Sequence, residues 1–202
     1  MEISTRYGAA AAALDAAAAR PRFLLALTHG AGGGIDTADL LAARDAGLLL
    51  GGTVARVLQP YRVRGGRVPG SAQRQDEAWL DIVGVLRGAA PGAPLVQGGR
   101  SNGARLACRT AQSAGAQAVL ALAFPLHPPG RPDRSRAGEL RAADTDVLVV
   151  SGDRDPFGVP AAAAGLRVMV LSGESHSLAR HPERVRDAVH SWLSEVLRLS
   201  PG

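Results

Sequence analysis

The chain contains no lysine. Its 23 basic residues are all arginine, against 18 acidic residues, and the formal net charge is +5. The arginines are scattered rather than gathered in one block, and aromatic residues make up only 3%. Nucleic-acid binding needs a basic stripe, commonly with aromatic rings on which bases stack. Neither is seen, so no nucleic-acid partner is expected. Cysteine is nearly absent too. Cys108 stands alone, so no intramolecular disulfide can form and an oxidising compartment is not required. The N-terminus lacks a basic start followed by a long apolar core. Residues 9–19 are rich in alanine, but Asp15 interrupts them, and alanine is a weak membrane anchor. Neither a signal peptide nor a membrane span is expected, and the cytoplasm is the default location.

What remains is an ordinary globular composition. The 202 residues are 46% hydrophobic and 20% charged, the size of one domain spanning 1–202. Short apolar runs alternate with helical patterns. Strands are expected at residues 23–28, 53–58, 94–97, 118–123, 146–151 and 167–171, with residues 2–7 as a further edge strand. Helices are expected at 38–46 behind Asp36 or Thr37, at 73–87 behind Ser71, at 102–113 stopping near Gly115, and from 182 to about 198. Residues 59–70 and 127–136 read as loops. Uninterrupted apolar strands alternating with helices predict an α/β fold: a mainly parallel, doubly wound sheet of about six to seven strands with helices on both faces. In such sheets ligand sites form at the carboxyl ends of the strands.

The third of those strands ends in Gly99-Arg100-Ser101-Asn102-Gly103. This is a G-x-S-x-G pattern between a strand and a helix. A turn that tight strains the serine backbone, and side chains two positions to either side would collide, so glycine is needed there. The strain lifts the hydroxyl clear, and the next helix aims its N-terminal amides at the same point. In a glycine-rich chain the pattern alone reads equally as a plain turn. A serine also needs a base, and the chain offers one in the right order. "SGDRDPFG" follows the fifth strand and "SGESHSL" follows the sixth, giving serine, acid, histidine. His176 is the candidate base. Asp155 is the preferred acid, at G-x-x-D spacing from Gly152 and just before Pro156. Asp153 is the alternative, though it also suits a turn residue bonding its own backbone. Glu174 is a weaker third.

The first long strand ends in "THGAGGG". Glycines there would let backbone amides approach a substrate. An oxyanion hole would use the amide of Ala31, or in its place Gly32, with the amide of Asn102, each donor worth about 2.7–4 kcal/mol in the transition state. His29 would shape this loop or line the site. The same loop does not read as a phosphate cradle, having neither G-K-[ST] nor a full G-x-G-x-x-G. No cofactor and no metal are expected. His127, in the second loop, is a further lining candidate. Arg100, Arg62 and Arg64 could receive an acidic substrate group, or could simply be solvated. Cys108 reads as a small packing residue.

Taken together, "LTHGAGGG", "QPYRVRGGRVP", "GGRSNGARLACRTA", "LAFPLHPPGRP", "GDRDPFG" and "ESHSL" resemble the α/β-hydrolase superfamily. They are most similar to its small, cap-less branch related to dienelactone hydrolases, and within it to the family of testis-expressed-type hydrolases and a histone-acetylation-complex subunit. The resemblance implies Ser101 as nucleophile, where dienelactone hydrolases proper carry cysteine, with Asp155 as acid and His176 as base. It supplies no particular substrate; the serine, acid and histidine in a chain too short for a lid point to a small-molecule acyl compound. The shortness of the chain suggests that it lacks a lid and most of the leading antiparallel strands of larger relatives. Two functions follow: a serine hydrolase of small esters or thioesters, or a binding and scaffold protein on the same fold with little turnover.

Overall fold

The computed structural model describes residues 1–16 and 20–199. Eight strands form one sheet: β1 (Glu2–Thr5), β2 (Gly8–Ala16), β3 (Leu24–Thr28), β4 (Thr53–Leu58), β5 (Leu95–Arg100), β6 (Ala118–Leu122), β7 (Asp146–Gly152) and β8 (Leu166–Leu171). Their order is β1-β2-β4-β3-β5-β6-β7-β8. Pairing is parallel from β4 through β8, while β2 runs antiparallel to both its neighbours.

The strands read as unbroken apolar runs because both faces of the sheet are covered. On β3, Leu25 and Leu27 pack with one core cluster and Leu24 and Ala26 with the other. The first face carries α1 (Ala38–Leu49) and α6 (Pro182–Val196), whose Val185, Val189, Trp192 and Leu193 are buried as the helical spacing predicts. The opposite face carries α3 (Ala72–Leu86), α4 (Asn102–Ala114) and the short α5 (Ala137–Arg141). Ser71 caps α3 by accepting from the Arg74 N–H, and Gly115 ends α4 in a left-handed conformation, as the stop signals indicate. Thr37 holds the N-cap position of α1 without a side-chain capping bond. A short helix, α2 (Pro60–Val63), breaks the first expected loop, and α5 follows directly after the second.

The main departure from the sequence reading is β2. The alanine-rich stretch from residue 9 supplies a full strand, so the sheet has eight strands and the leading antiparallel pair is present. Alanine carries little strand preference of its own. Here the backbone is held by ladders to β1 on one side and β4 on the other, while Ala10 and Ala12 face the core. Residues 17–19 of that stretch lie outside the described residues.

One buried polar cluster fixes the strand that leads to Ser101. Gln97, in the middle of β5, is fully buried. Its carbonyl oxygen accepts from the Trp79 indole at 2.9 Å, and its amide donates to the Ala107 carbonyl at 2.6 Å and the Thr110 hydroxyl at 3.0 Å. A buried amide with its bonds made locks α3, β5 and α4 in one register. Among the described residues no cap domain is inserted over the strand ends. No described helix is long and apolar enough to cross a membrane.

Candidate active site

Ser101 joins β5 to α4 with φ 53° and ψ −112°, a conformation that costs a non-glycine residue about 1–3 kcal/mol. The flanking glycines make it possible. A Cβ on Gly99 would lie 2.6 Å from the Thr28 carbonyl oxygen, and one on Gly103 would lie 2.6 Å from the same atom and 2.8 Å from the His29 carbonyl. Those neighbours are backbone and cannot swing aside. The elbow therefore nests directly against the end of β3, and its hydroxyl is presented at the carboxyl edge of the sheet.

The turns after β7 and β8 meet it there. A Cβ on Gly152 would sit 2.2 Å from the Glu174 carbonyl oxygen, so glycine allows these two turns to touch. The Arg154 N–H donates to that same carbonyl at 3.0 Å. His176 Nε2 lies 3.0 Å from Ser101 Oγ, and His176 Nδ1 lies 2.8 Å from Asp155 Oδ2. A carboxylate only accepts, which places the imidazole proton on Nδ1 and leaves Nε2 to accept from the serine hydroxyl. The other Asp155 oxygen accepts from the Phe157 N–H at 2.9 Å, and the Phe157 ring packs on the His176 ring at 4.2 Å between centroids. The Asp155 side chain is wholly buried and that of His176 is 19% exposed.

The two other acids have different work. Asp153 accepts from the Gly173 N–H at 2.8 Å and faces solvent. Glu174 is buried and accepts from the amides of His181 (2.6 Å) and Arg180 (3.3 Å), anchoring the chain after the histidine turn.

Asn102 is the first residue of α4, so its N–H has no carbonyl a turn earlier to bond. Its side chain donates to Gln75 Oε1 at 2.7 Å. Across from it, the glycine loop after β3 is pinned by side chains. His29 is fully buried; its Nδ1 donates to the Gly30 carbonyl at 2.7 Å and its Nε2 accepts the Gln59 N–H at 3.0 Å. Burial holds its pKa below the ordinary imidazole value, outweighing the Gly30 bond. The Tyr61 hydroxyl donates to the Ala31 carbonyl at 2.7 Å, and burial pushes this phenol up to about 12. Arg62 donates to the carbonyls of Gly33 (2.9 Å) and Gly66 (2.8 Å).

The arginines singled out from sequence thus differ in place. Arg62 holds the glycine loop. Arg64 lies apart from Ser101 and donates to the Tyr7 carbonyl. Arg100 sits among the site segments and is engaged by them. Its Nη2 donates to the His176 carbonyl at 2.7 Å, and its Nε lies 2.9 Å from Asp39 Oδ2. That second contact is an ion pair without hydrogen-bond alignment, since neither atom has a directed partner. Asp39, fully buried at the start of α1, has its pKa raised by burial, with the Arg100 charge opposing. His127 contacts the turn that carries Asp155: its N–H donates to the Phe157 carbonyl, and its Nδ1 donates to the Pro128 carbonyl at 2.8 Å. Asp39 and Gln75 lie outside the quoted motifs, and Tyr61 and Phe157, though inside two of them, carry no spacing that singles them out. Their contacts to Arg100, Ala31, Asn102 and His176 span 19 to 61 residues, and only the setting of Asp39 on an otherwise apolar helix face hints at a buried ion. Cys108 is buried in α4, and burial pushes its thiol up to about 12.

The residues able to do chemistry are therefore a serine, a base and an acid in one hydrogen-bonded chain. Among the described residues no group of histidine, cysteine and carboxylate side chains could hold a metal. The family model of the alpha/beta hydrolase domain matches residues 21–195. Among solved structures the fold is similar to an α/β serine hydrolase without a lid from Xanthomonas campestris, at 20% identity over 100% of this chain and 95% of that one, with a TM-score of 0.80. It is also similar to an α/β serine hydrolase homologue from Coxiella burnetii, at 14% identity over 96% of each chain and a TM-score of 0.77. A third likeness is to Est1E from Butyrivibrio proteoclasticus, at 17% identity over 98% of each chain and a TM-score of 0.75. At these identities the likeness is one of fold. No curated protein matches the chain. With the family model covering most of its length, the chain belongs to the α/β-hydrolase domain family.

Proposed function

We propose that this protein is a serine hydrolase of small soluble esters or thioesters, working through an acyl-enzyme on Ser101. The observation that carries the reading is the unbroken contact from Asp155 through His176 to Ser101, with the serine held at φ 53°. Ser101 Oγ attacks the acyl carbonyl as His176 Nε2 takes its proton. Asp155 keeps the imidazole in the right tautomer and stabilises its charged form. The amides of Ala31 and Asn102 receive the developing oxyanion. His176 returns the proton to the leaving alcohol or thiol, then takes one from a water that attacks the acyl carbon, and gives it to Ser101 Oγ as the acid leaves. With no cap over the strand ends, short and soluble acyl groups are the natural substrates. The motifs favour the dienelactone-hydrolase-related branch that includes the testis-expressed-type hydrolases. The single buried cysteine fits a cytoplasmic setting.

A serine-directed fluorophosphonate probe tests the assignment. Wild type should be labelled and Ser101→Ala should not. Equal labelling of both, or none of wild type, overturns it. Exchanging Asp153→Asn and Asp155→Asn decides the acid: only the second should cost activity, by about 10⁴-fold.

A further inference from the structure

Between α2, the start of α3 and the turn joining β1 to β2 lies a cavity of about 160 Å³. Tyr7, Pro60, Tyr61 and Ala78 give it apolar walls, with the guanidinium groups of Arg64 and Arg74 also lining it. Both arginines are exposed, so the charge stands at the solvent side. A cavity of about 150 Å³ with apolar walls holds one benzene ring.

Two of the cavity's wall residues are hydrogen-bonded to segments beside the reaction centre. Gln75 lines it and accepts from the Asn102 side chain at 2.7 Å. Tyr61 lines it and donates to the Ala31 carbonyl at 2.7 Å. These are the two segments assigned above to the oxyanion. Among the described residues no carboxylate forms an ion pair with either rim guanidinium. Arg74 lies 5.6 Å from the centroid of the Tyr7 ring, and Arg64 donates to the Tyr7 carbonyl. The nearby Glu77 is engaged by the Tyr7 hydroxyl and by Gln73. Arg100 and Arg62, by contrast, are spent on Asp39 and on main-chain carbonyls.

We propose that this cavity is the substrate subsite of the hydrolase, and that it takes a one-ring aromatic group bearing an anionic substituent. The ring packs between the two phenols and Pro60, and the anion meets Arg74 and Arg64 at the rim. The inference rests on the serine-hydrolase reading for its chemistry, but binding can be measured apart from turnover.

The probes are monomethyl terephthalate, which carries a carboxylate, methyl benzoate, which does not, and methyl acetate. Calorimetry on Ser101→Ala measures binding without hydrolysis. Monomethyl terephthalate should bind at least tenfold more tightly than methyl benzoate, and adding Arg74→Gln should remove most of that difference. Ala78→Leu, which fills the cavity, should weaken both aromatic esters about tenfold; because Ala78 is buried, the exposed Arg74→Gln carries the test if that variant does not fold. In wild type, kcat/KM should rise from methyl acetate to methyl benzoate to monomethyl terephthalate. The inference falls if the charged and neutral rings bind alike, or if Arg74→Gln leaves their ratio unchanged. Hydrolysis of methyl acetate that depends on Ser101, with no aromatic preference, leaves the hydrolase reading standing and removes the subsite. The expected binding without Ser101-dependent turnover does the reverse.

Discussion

Two glycine-bearing segments flank the candidate site, and they use glycine for opposite reasons. In the elbow, Gly99 and Gly103 are demanded by space: any Cβ would meet backbone at 2.6 Å. In the loop after β3, nothing lies within 4 Å of a Cβ on Gly32 or Gly34, and none of the loop's glycines has positive φ. The elbow is fixed by main-chain packing, which side-chain motion cannot relieve. The loop is fixed by side chains reaching its carbonyls: His29, Tyr61 and Arg62. One segment is rigid by sterics. The other is held by hydrogen bonds that can be removed one at a time, and its bare glycines leave room in front of the amides.

The largest effect should come from Ser101→Gly. It removes the hydroxyl, so turnover should fall on the order of 10⁶-fold, the scale of a lost serine nucleophile. It also relieves the positive φ, so stability in denaturant should rise by about 1 kcal/mol. A destabilised variant would break the claim that the elbow stores strain. Next comes Gly103→Ala. Its methyl group would press on two carbonyls, and the elbow would have to shift. Stability should drop by about 1–3 kcal/mol, and a displaced serine should cost about 100-fold in kcat. Denaturant unfolding and ester kinetics on the same preparations check both.

Much of this was legible in the chain because it is local. A run such as "DVLVV" reads as a buried strand, and G-x-S-x-G needs only five neighbouring residues. His176 and Asp155 stand out by falling just past strand ends. What pairing decides was less legible. The alanine-rich β2 has no side-chain pattern of its own; two flanking ladders make it a strand. From its place beside Ser101, Arg100 reads as a substrate contact or a solvated side chain, yet the residues that engage it, Asp39 and His176, lie 61 positions before and 76 after. The cavity at Tyr7 and Arg74 is of the same kind, assembled from the turn at Tyr7 and from two segments that begin more than 50 residues later, at Gln59 and Gly70.

The loop's dependence on side chains predicts acid sensitivity. Burial lowers the pKa of His29 from 6.5, and its Nε2 must stay unprotonated to accept the Gln59 N–H. The folded state therefore binds this proton less readily than the unfolded chain. The contribution is intact above the unfolded pKa and is lost as pH falls through the lower folded value. Wild-type stability should decline below about pH 6.5, and His29→Gln should flatten that decline. An imidazole titration by NMR should place the His29 midpoint below that of an unfolded peptide.

The smallest effect is the most discriminating. Gly32→Ala should change stability by no more than about 0.5 kcal/mol, because its methyl group meets no atom and its φ suits alanine. That contrasts with Gly103→Ala, the same chemical change on the facing segment. If the open space before Gly32 is where substrate sits, the variant should fold normally yet lose kcat/KM for bulky esters more than for methyl acetate. Equal losses for all esters would mean that the methyl group disturbs the amides rather than the room before them. A large loss of stability would mean that the loop is as tightly packed as the elbow, and the difference between the two segments would vanish.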